Sequence, residues 1–347
     1  MERFREIAAA TRGGLTESWH FGAAAVTTPQ GTLVGRVGSE SVETFLRSAT
    51  KPFQVLPLLL AGGIERFDLS SSDLALICAS HGGTPRHVQG VQGLLDKGGL
   101  EESDLHCGVH QPFDTASAAA LREVGERPSQ LHNNCSGKHA GMLLACRLLE
   151  LPIGDYLSVE HPLHSRILEE VSVVCRVDAG SVGVAIDGCG APCFRTSLEV
   201  ASRGFAALAD PAASGLSDGR TEALRAVADA MTAEPEMVSG PGTFTTRLME
   251  VTSGRVLAKE GAQGVYAVAV RGPVALGLLL KVADGADGPR PGVILDLLRQ
   301  LGSISQQELG ELQEFHSPLR SNWSGHTIGR IVSRVELTEV KTVDREP

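Results

Sequence analysis

The run Arg47-Ser48-Ala49-Thr50-Lys51-Pro52-Phe53-Gln54 holds the residues whose types and spacing point most directly to chemistry. The chain of 347 residues uses 25 Arg but only six Lys. Arginine stays charged at any accessible pH, whereas a desolvated lysine can release its proton and act as a base. Lys51 alone among the six follows a serine by three positions. Residues i and i+3 share a helix face, so the Lys51 amine could reach the Ser48 hydroxyl. That is the arrangement of a serine nucleophile activated by a lysine base. The plainer alternative is that Ser48 caps a helix running on through Phe53 to Leu60. Pro52 falls where a first helical turn tolerates proline, and an apolar run follows it. The expectation is a largely buried helix with Ser48 and Lys51 at its N-terminus, facing the positive end of its dipole.

Further polar clusters interrupt apolar stretches. Cys78-Ala79-Ser80-His81-Gly82-Gly83 ends one such stretch in a small, flexible turn where backbone can approach a ligand. Ser80 offers a second pocket hydroxyl and His81 a base, unless the segment is an ordinary turn. Asn133-Asn134-Cys135-Ser136-Gly137-Lys138-His139 enters an apolar helix, and Asp187-Gly188-Cys189-Gly190-Ala191-Pro192-Cys193 closes a strand. Cys135 and Cys189 could hold a soft metal such as Zn²⁺, with His139, Lys138, Asp187 or Cys193 completing the set. No Cys-x-x-Cys pair is present, and a core role for each thiol stays open. Lys259 ends a strand-like segment, from which it could project toward a helix-borne serine or serve an exposed salt bridge. His110, His132, His161, His164 and His316 have no ligating spacing and are assigned nothing.

The elements that must position these groups lie in a recognisable order. Phe21–Val26 and Thr32–Val37 flank a Thr-Pro-Gln-Gly turn and read as a β-hairpin. Helices are expected from Ser71, over His87–Leu95, Ala116–Val124, Gly141–Leu149, Leu163–Val174, Phe205–Leu208 and Arg220–Met231. A short strand falls at Val182–Ile186. Strands return at Arg255–Ala258, Val265–Val270 and Ala275–Val282, then a helix at Val293–Leu301 and a last strand within Thr327–Leu337. Strands at both ends and helices between exclude the alternation of a doubly wound sheet. The expected class is α+β, with an antiparallel sheet formed from both ends of the chain and packed on a mainly helical centre. No repeat, linker or phosphate-binding glycine pattern appears, so residues 1–347 read as a single catalytic unit.

Composition narrows the partners. A net charge of −10, scattered basic residues and 4% aromatics argue against nucleic acid and an anionic membrane surface. The apolar stretch from Val265 to Val282 is broken by Arg271, Gly272 and Pro273, so it is no membrane span. Seven cysteines, an odd number without a signal-like N-terminus, suggest free thiols and a cytoplasmic protein.

Taken together, Thr16-Glu17-Ser18-Trp19-His20, the Arg47–Gln54 run, Ser80-His81 and Asn133–His139 resemble the asparaginase II family, the rhizobial-type, thermolabile L-asparaginases. Asp187-Gly188-Cys189-Gly190, Lys259-Glu260-Gly261 and Asn322-Trp323-Ser324-Gly325 extend the similarity in the same order, over roughly residues 14–335. The resemblance implies a fold related to serine β-lactamases and glutaminases, and two Ser–Lys pairs, Ser48 with Lys51 and Ser80 with Lys259. It implies a metal, Zn²⁺, on Cys135, Lys138 and Cys189 that tunes substrate binding. For the substrate, Arg47 suits the α-carboxylate and Asp187 the α-ammonium, with His139 a further expected contact. The implied activity is hydrolysis of L-asparagine by a cytoplasmic homodimer. A glutaminase or other amidase with the same pairs is one alternative, and a weakly catalytic amino-acid- or zinc-binding protein another. Thr84, Thr243 and Thr245 stand where the family usually has acidic, Arg and Asp residues.

Overall fold

The computed structural model describes residues 3–340, which form two compact units. One comprises the residues up to 49, residues 196–214 and those from 247 onward. The other comprises residues 50–195 and 215–246. The boundary at 49/50 assigns Ser48 to the first and Lys51 to the second.

The first unit is built on an antiparallel sheet with strands β1 (Arg5–Arg12), β2 (Leu15–Thr27), β3 (Leu33–Val37), β4 (Val256–Glu260), β5 (Val265–Val270), β6 (Leu276–Val282), β7 (Leu319–Ser321), β8 (Thr327–Ser333) and β9 (Thr338–Glu339). Their order is β7-β8-β1-β2-β6-β5-β4, with β3 on β2 and β9 on β3. The two chain ends therefore meet inside one sheet: Ala9 is opposite Trp19 on β2 and Val332 on β8. β6 pairs with β2 from Gly22↔Val282 to Thr27↔Gly277. This is the α+β antiparallel sheet expected from the strand positions. The hairpin of β2 and β3 and the strands β4 to β6 fall where the alternating apolar runs place them. β1 lies outside the expected strands, because Ala8-Ala9-Ala10 has little β-propensity, and burial within the sheet selects it instead.

Small side chains in this sheet answer to close packing. The helix Leu198–Ala209 lies against β2, β5 and β6. A Cβ at Gly277 of β6 would fall 2.0 Å from Ser202 O and 2.2 Å from Ala206 N of that helix. The buried Ser202 hydroxyl donates to Thr27 Oγ1 at 3.1 Å, so the contact is satisfied on its polar side too.

The second unit is helical. Its principal helices are Ser71–Ile77, Pro85–Gly98, Ser136–Leu148, Pro162–Cys175 and Asp218–Ala233, with one hairpin of Gly183–Ile186 against the strand that starts at Pro192. Ser136–Leu148 is the central element, with every side chain from Ser136 to Cys146 buried. It packs against Ser71–Ile77 so closely that a Cβ at Gly137 would lie 2.3 Å from Leu76 O.

Two expectations are corrected here. The single helix from Ser48 to Leu60 is instead a 3₁₀ turn, Arg47–Thr50, followed by two short helices, Lys51–Gln54 and Leu56–Leu60. Pro52 and Pro57 remove two amide donors within six residues, so a continuous ladder cannot form. Four residues carry little of a macrodipole, and the dipole argument for Lys51 falls with it. The helix expected from Gly141 starts five residues earlier, at Ser136, which draws Lys138 and His139 into its first turn.

Gly277→Ala should destabilise the protein by about 2 kcal/mol or more, since both clashing atoms are helix backbone. Urea unfolding would register this as a lower midpoint, and an unchanged midpoint would mean that the helix can retreat at no cost.

Candidate active site

Ser80 sits just beyond the helix Ser71–Ile77, whose start is fixed by a reciprocal cap between Ser70 and Asp73. The following turn is extended and held by its backbone. Ser80 N donates to Val238 O at 2.9 Å, His81 N to Asn134 O at 3.3 Å, and Asp114 N to Gly82 O at 2.9 Å. Three separate segments thus clamp the turn that presents Ser80.

Lys51 is 2% exposed. Its amine donates to Ala79 O at 2.5 Å, to Ser80 Oγ at 3.1 Å and to Asn134 O at 3.4 Å. Sequence spacing pairs Lys51 with Ser48, whereas the structure brings its amine to Ser80. An amine and a hydroxyl at this separation can pass a proton in either direction once the amine is neutral. Ser48 is half-buried within the 3₁₀ turn. Arg47 before it adopts φ 52°, a left-handed conformation costing a non-glycine residue about 1–3 kcal/mol. Lys259, near the end of β4, is fully buried, with its amine 2.9 Å from Glu260 O and 3.3 Å from Glu260 Oε1. The alternative of an exposed salt bridge does not apply to it.

His81 has a structural role. Its Nδ1 accepts from Gly83 N at 3.1 Å, so Nε2 carries the proton and donates to Ser136 Oγ at 2.9 Å. Ser136 then donates to Leu131 O. Burial holds the imidazole well below its usual pKa, with His87 and Lys51 adding to the effect. A neutral, doubly engaged ring is not a free base.

The same helix start assembles the second cluster. Asn133 Oδ1 accepts from Cys135 N at 2.8 Å, and its amide donates to Cys107 O and Gly108 O. Cys189 comes from the turn of the hairpin, closed by Asp187 N on Ala191 O and Gly190 N on Asp187 O. Lys138 Nζ lies 3.0 Å from Cys189 Sγ. A hydrogen bond from Cys189 pulls the Cys135 thiol well below its usual range against the penalty of burial, and Lys51 and Lys138 reinforce it. Cys189 is pushed up by that same bond and by burial. Burial works to lower Lys138, but the fields of Cys189 and Cys135 outweigh it and hold the amine protonated. Cys107, nearby, is pushed up to about 12 by burial and then by Cys135. Cys135 feels both ammonium groups, so Ser80, Lys51, Cys135, Cys189 and Lys138 form one electrostatic chain.

His139 completes the site from the next position. Tyr156 OH donates to Leu105 O, so His139 Nδ1 must donate to Tyr156 OH, at 2.5 Å. This leaves Nε2 as a bare lone pair, fully buried and without a hydrogen-bond partner among the described residues. Burial, then Lys138 and Lys51, keep the ring neutral. Asp187 is half-buried, accepts from Gly188 N at 2.6 Å and contributes to the field on Lys138.

Among the described residues no group of three or more His, Cys, Asp and Glu side chains could hold a metal ion. A metal here would need the Lys138 amine as its third donor. Two thiolates and an amine suit a soft ion, and its charge would replace that of the Lys138 proton. The donor chemistry fits on those terms.

A cleft of about 230 Å³ borders the Ser80 turn, lined by Gly82, Phe113, Asp114, Gly240 and Thr243. The three threonine departures have ordinary structural duties here. Thr84 caps the helix Pro85–Gly98 in a reciprocal pair with His87. Thr243 bonds Gly240 O and accepts from Thr246 N, and Thr245 is buried. Sequence reasoning missed Asn133, Asn134 and Tyr156 as supports. The two asparagines belong to the Asn133–His139 polar motif, and Tyr156 is one of only two tyrosines.

The chain belongs to the L-asparaginase II family, whose model matches residues 8–333. None of the curated proteins matches the chain. Similar solved structures include Mglu in its glutamate form, at 15% identity and TM-score 0.36, covering 81% of this chain and 61% of that one. A protein described as a beta-lactamase from Bacteroides dorei DSM 17855 matches at 15% identity and TM-score 0.40, covering 76% and 87%. Bacillus glutaminase in 4.3 M NaCl matches at 13% identity and TM-score 0.37, covering 82% and 91%. The chain thus spans about three-fifths of the Mglu chain. No helix among the described residues is long and apolar enough to cross a membrane.

The buried histidines set a pH dependence of stability. Burial lowers the pKa of His164 to about 4, opposed in part by its bond to Tyr156 O. Between the ordinary value near 6.5 and about 4, the unfolded chain binds a proton that the folded chain refuses. Stability should therefore fall as pH drops through this window and level off below it. His164 alone accounts for up to about 3 kcal/mol at the acid end. Comparing urea unfolding of wild type and His164→Gln at pH 7 and 4.5 isolates this effect from the carboxylates. Identical acid losses in the two proteins would remove it.

Proposed function

We propose that this protein hydrolyses L-asparagine to L-aspartate and ammonia through an acyl-enzyme formed on Ser48. Family membership supports the substrate class, and the Lys51–Ser80 hydrogen bond at 3.1 Å is the observation that carries the proton chemistry. The roles of Arg47, Ser48 and Lys259 rest on the sequence motifs.

Ser48 Oγ attacks the side-chain amide carbon, and its proton passes to Lys51, the base that the Ser-x-x-Lys motif assigns, which hands it on to Ser80 across the 3.1 Å hydrogen bond. The tetrahedral intermediate collapses with cleavage of the C–N bond. The nitrogen leaves as ammonia after receiving a proton passed through Ser80, with Lys259 sustaining the relay. Water then enters along the reverse route: it loses a proton to the same groups, adds to the ester carbon and displaces Ser48. The α-carboxylate pairs with Arg47, whose planar fork suits it. The α-ammonium is assigned to Asp187. The bare Nε2 of His139 accepts an N–H of the substrate, which gives that buried lone pair its partner.

Cys135, Lys138 and Cys189 are the residues that would hold Zn²⁺, which when bound supplies a fixed positive charge beside the substrate. Two further assignments belong to this reading. Seven free cysteines support a cytoplasmic protein, and exposed Trp19, Phe21 and Leu319 on the sheet unit support a homodimer.

Ammonia release should be rapid with L-asparagine and at least about tenfold slower, in kcat/KM, with L-glutamine, whose extra methylene is worth 1–3 kcal/mol in a fitted pocket. The reverse ranking would make the enzyme a glutaminase, and release from neither would sink the reading.

Ser48→Ala and Lys51→Ala should each reduce turnover by about 10³-fold or more, with the double variant little worse, as for groups acting as one unit. Near-normal turnover in Ser48→Ala would overturn the nucleophile. Lys259→Arg should be almost as damaging as Lys259→Ala, because arginine keeps the charge but cannot shuttle a proton. Most of the activity surviving in Lys259→Arg would reduce that lysine to an electrostatic role.

A further inference from the structure

We propose, on the basis of the amide hydrolysis above, that His110 is a positioning residue for the Lys51–Ser80 pair and that Phe113, stacked on it, is the apolar wall against which the substrate lies. Both rings belong to the segment 107–114, which is tied down at its two ends. Asn133 Nδ2 donates to Cys107 O at 2.8 Å and to Gly108 O at 3.1 Å, and Asp114 N donates to Gly82 O at 2.9 Å. The loop is therefore anchored on the Asn133-Asn134 motif and on the Ser80 turn. Those two segments also supply the acceptors of the Lys51 amine. Between the anchors His110 makes a directed contact. Its Nδ1 lies 2.7 Å from Gln111 O, and a carbonyl can only accept, so Nδ1 carries the proton. Nε2 keeps its lone pair and accepts from Asn134 N at 3.0 Å. The same Asn134 presents its carbonyl to Lys51 Nζ at 3.4 Å and to His81 N at 3.3 Å. One residue thus passes the position of the imidazole on to the amine. The 3.4 Å contact is the longest of the three that Lys51 makes, so it has the least reserve when Asn134 shifts.

The Phe113 ring stacks on the imidazole with centroids 4.8 Å and planes 17° apart. Even so, 64% of Phe113 stays exposed, and it lines the cleft of about 230 Å³ together with Gly82 of the Ser80 turn. Its neighbour Asp114 is occupied elsewhere: Oδ2 accepts from Ser117 N at 2.7 Å and from Ser117 Oγ at 2.6 Å, capping the helix that follows. What the loop offers the cleft is therefore a bare phenyl ring, held from behind by His110. The methylene of an amino-acid amide is the apolar group that such a wall suits. His110 then serves the site twice, through its lone pair toward Lys51 and through its ring face toward the substrate.

The two roles come apart in variants of the full-length protein. His110→Phe keeps the stack and loses the acceptor, whereas His110→Gln keeps an acceptor and loses the stack. With L-asparagine, His110→Phe should lower kcat about 10²-fold, the cost of a ~1 Å misplacement, and leave KM near the wild-type value. His110→Gln should recover most of that kcat and raise KM about 10-fold, and Phe113→Ala should raise KM by a similar factor. A purely structural role would instead lower kcat in step with the urea midpoint and leave KM unmoved in all three. That pattern, or a wild-type KM in Phe113→Ala, would overturn the proposal. Hydrogen exchange at the Asn134 amide needs no turnover: it should quicken about 10-fold in His110→Phe and little in His110→Gln. Wild type that releases ammonia from no amide would sink the proposed function, and exchange then decides whether His110 holds Asn134. Equal rates in wild type and His110→Phe would overturn that too. Should His110→Phe fail to fold, the exposed Phe113→Ala and the exchange rate of His110→Gln carry the test.

Discussion

A buried ammonium group must find acceptors, and this constraint organises the helical unit. Desolvating an amine costs several kcal/mol unless hydrogen bonds replace its water. Lys51 meets the requirement without a carboxylate, through two backbone carbonyls and the Ser80 hydroxyl. Those acceptors belong to the Ala79-Ser80 turn and the Asn134 turn, two segments more than fifty residues apart in the chain. Holding one amine therefore fixes both turns, and the backbone bonds from His81 to Asn134 and from Ser80 to Val238 make the clamp rigid.

Lys138 is the contrasting case. Its amine faces the Cys189 sulfur, and the fields of Cys189 and then Cys135 hold it protonated against burial. Within four residues of one helix start, the chain places a thiol, a cation and a histidine with a bare nitrogen. Gly137 makes this possible, because any side chain there would strike Leu76 O and push the helix away from the Ser71–Ile77 element that leads to Ser80. Packing and chemistry are joined at that contact. The two lysines are buried alike but meet different atoms, carbonyl and hydroxyl oxygens at Lys51 and the Cys189 sulfur at Lys138.

Much of the fold could be read from the chain because it depends on local pattern. Apolar runs separated by Arg271, Gly272 and Pro273 marked β5 and β6, and the Ser71-Ser72-Asp73 cluster marked a helix start. The failures were of two kinds. Where proline chemistry ruled, at Pro52 and Pro57, apolar periodicity suggested one helix and the missing amides broke it into short pieces. Where burial ruled, at Ile7–Ala10, weak local propensity concealed a strand that its neighbours on both sides stabilise.

For the site, residue type and order alone nominated Ser48, Lys51, Ser80, Cys135, Lys138, Cys189 and Lys259, because rare lysines and dense polar motifs at element ends are visible without coordinates. Which amine meets which hydroxyl could not be read, since helical spacing linked Lys51 to Ser48 and only the folded chain brings Ser80 to it from 29 residues away. The tautomers of His81 and His139 were equally hidden, because each is set by what the other ring nitrogen touches, Gly83 N in one case and Tyr156 OH in the other. Sequence determines which groups are available. Tertiary structure alone decides their partners, because hydrogen bonds and electric fields act across space and carry no record of position along the chain.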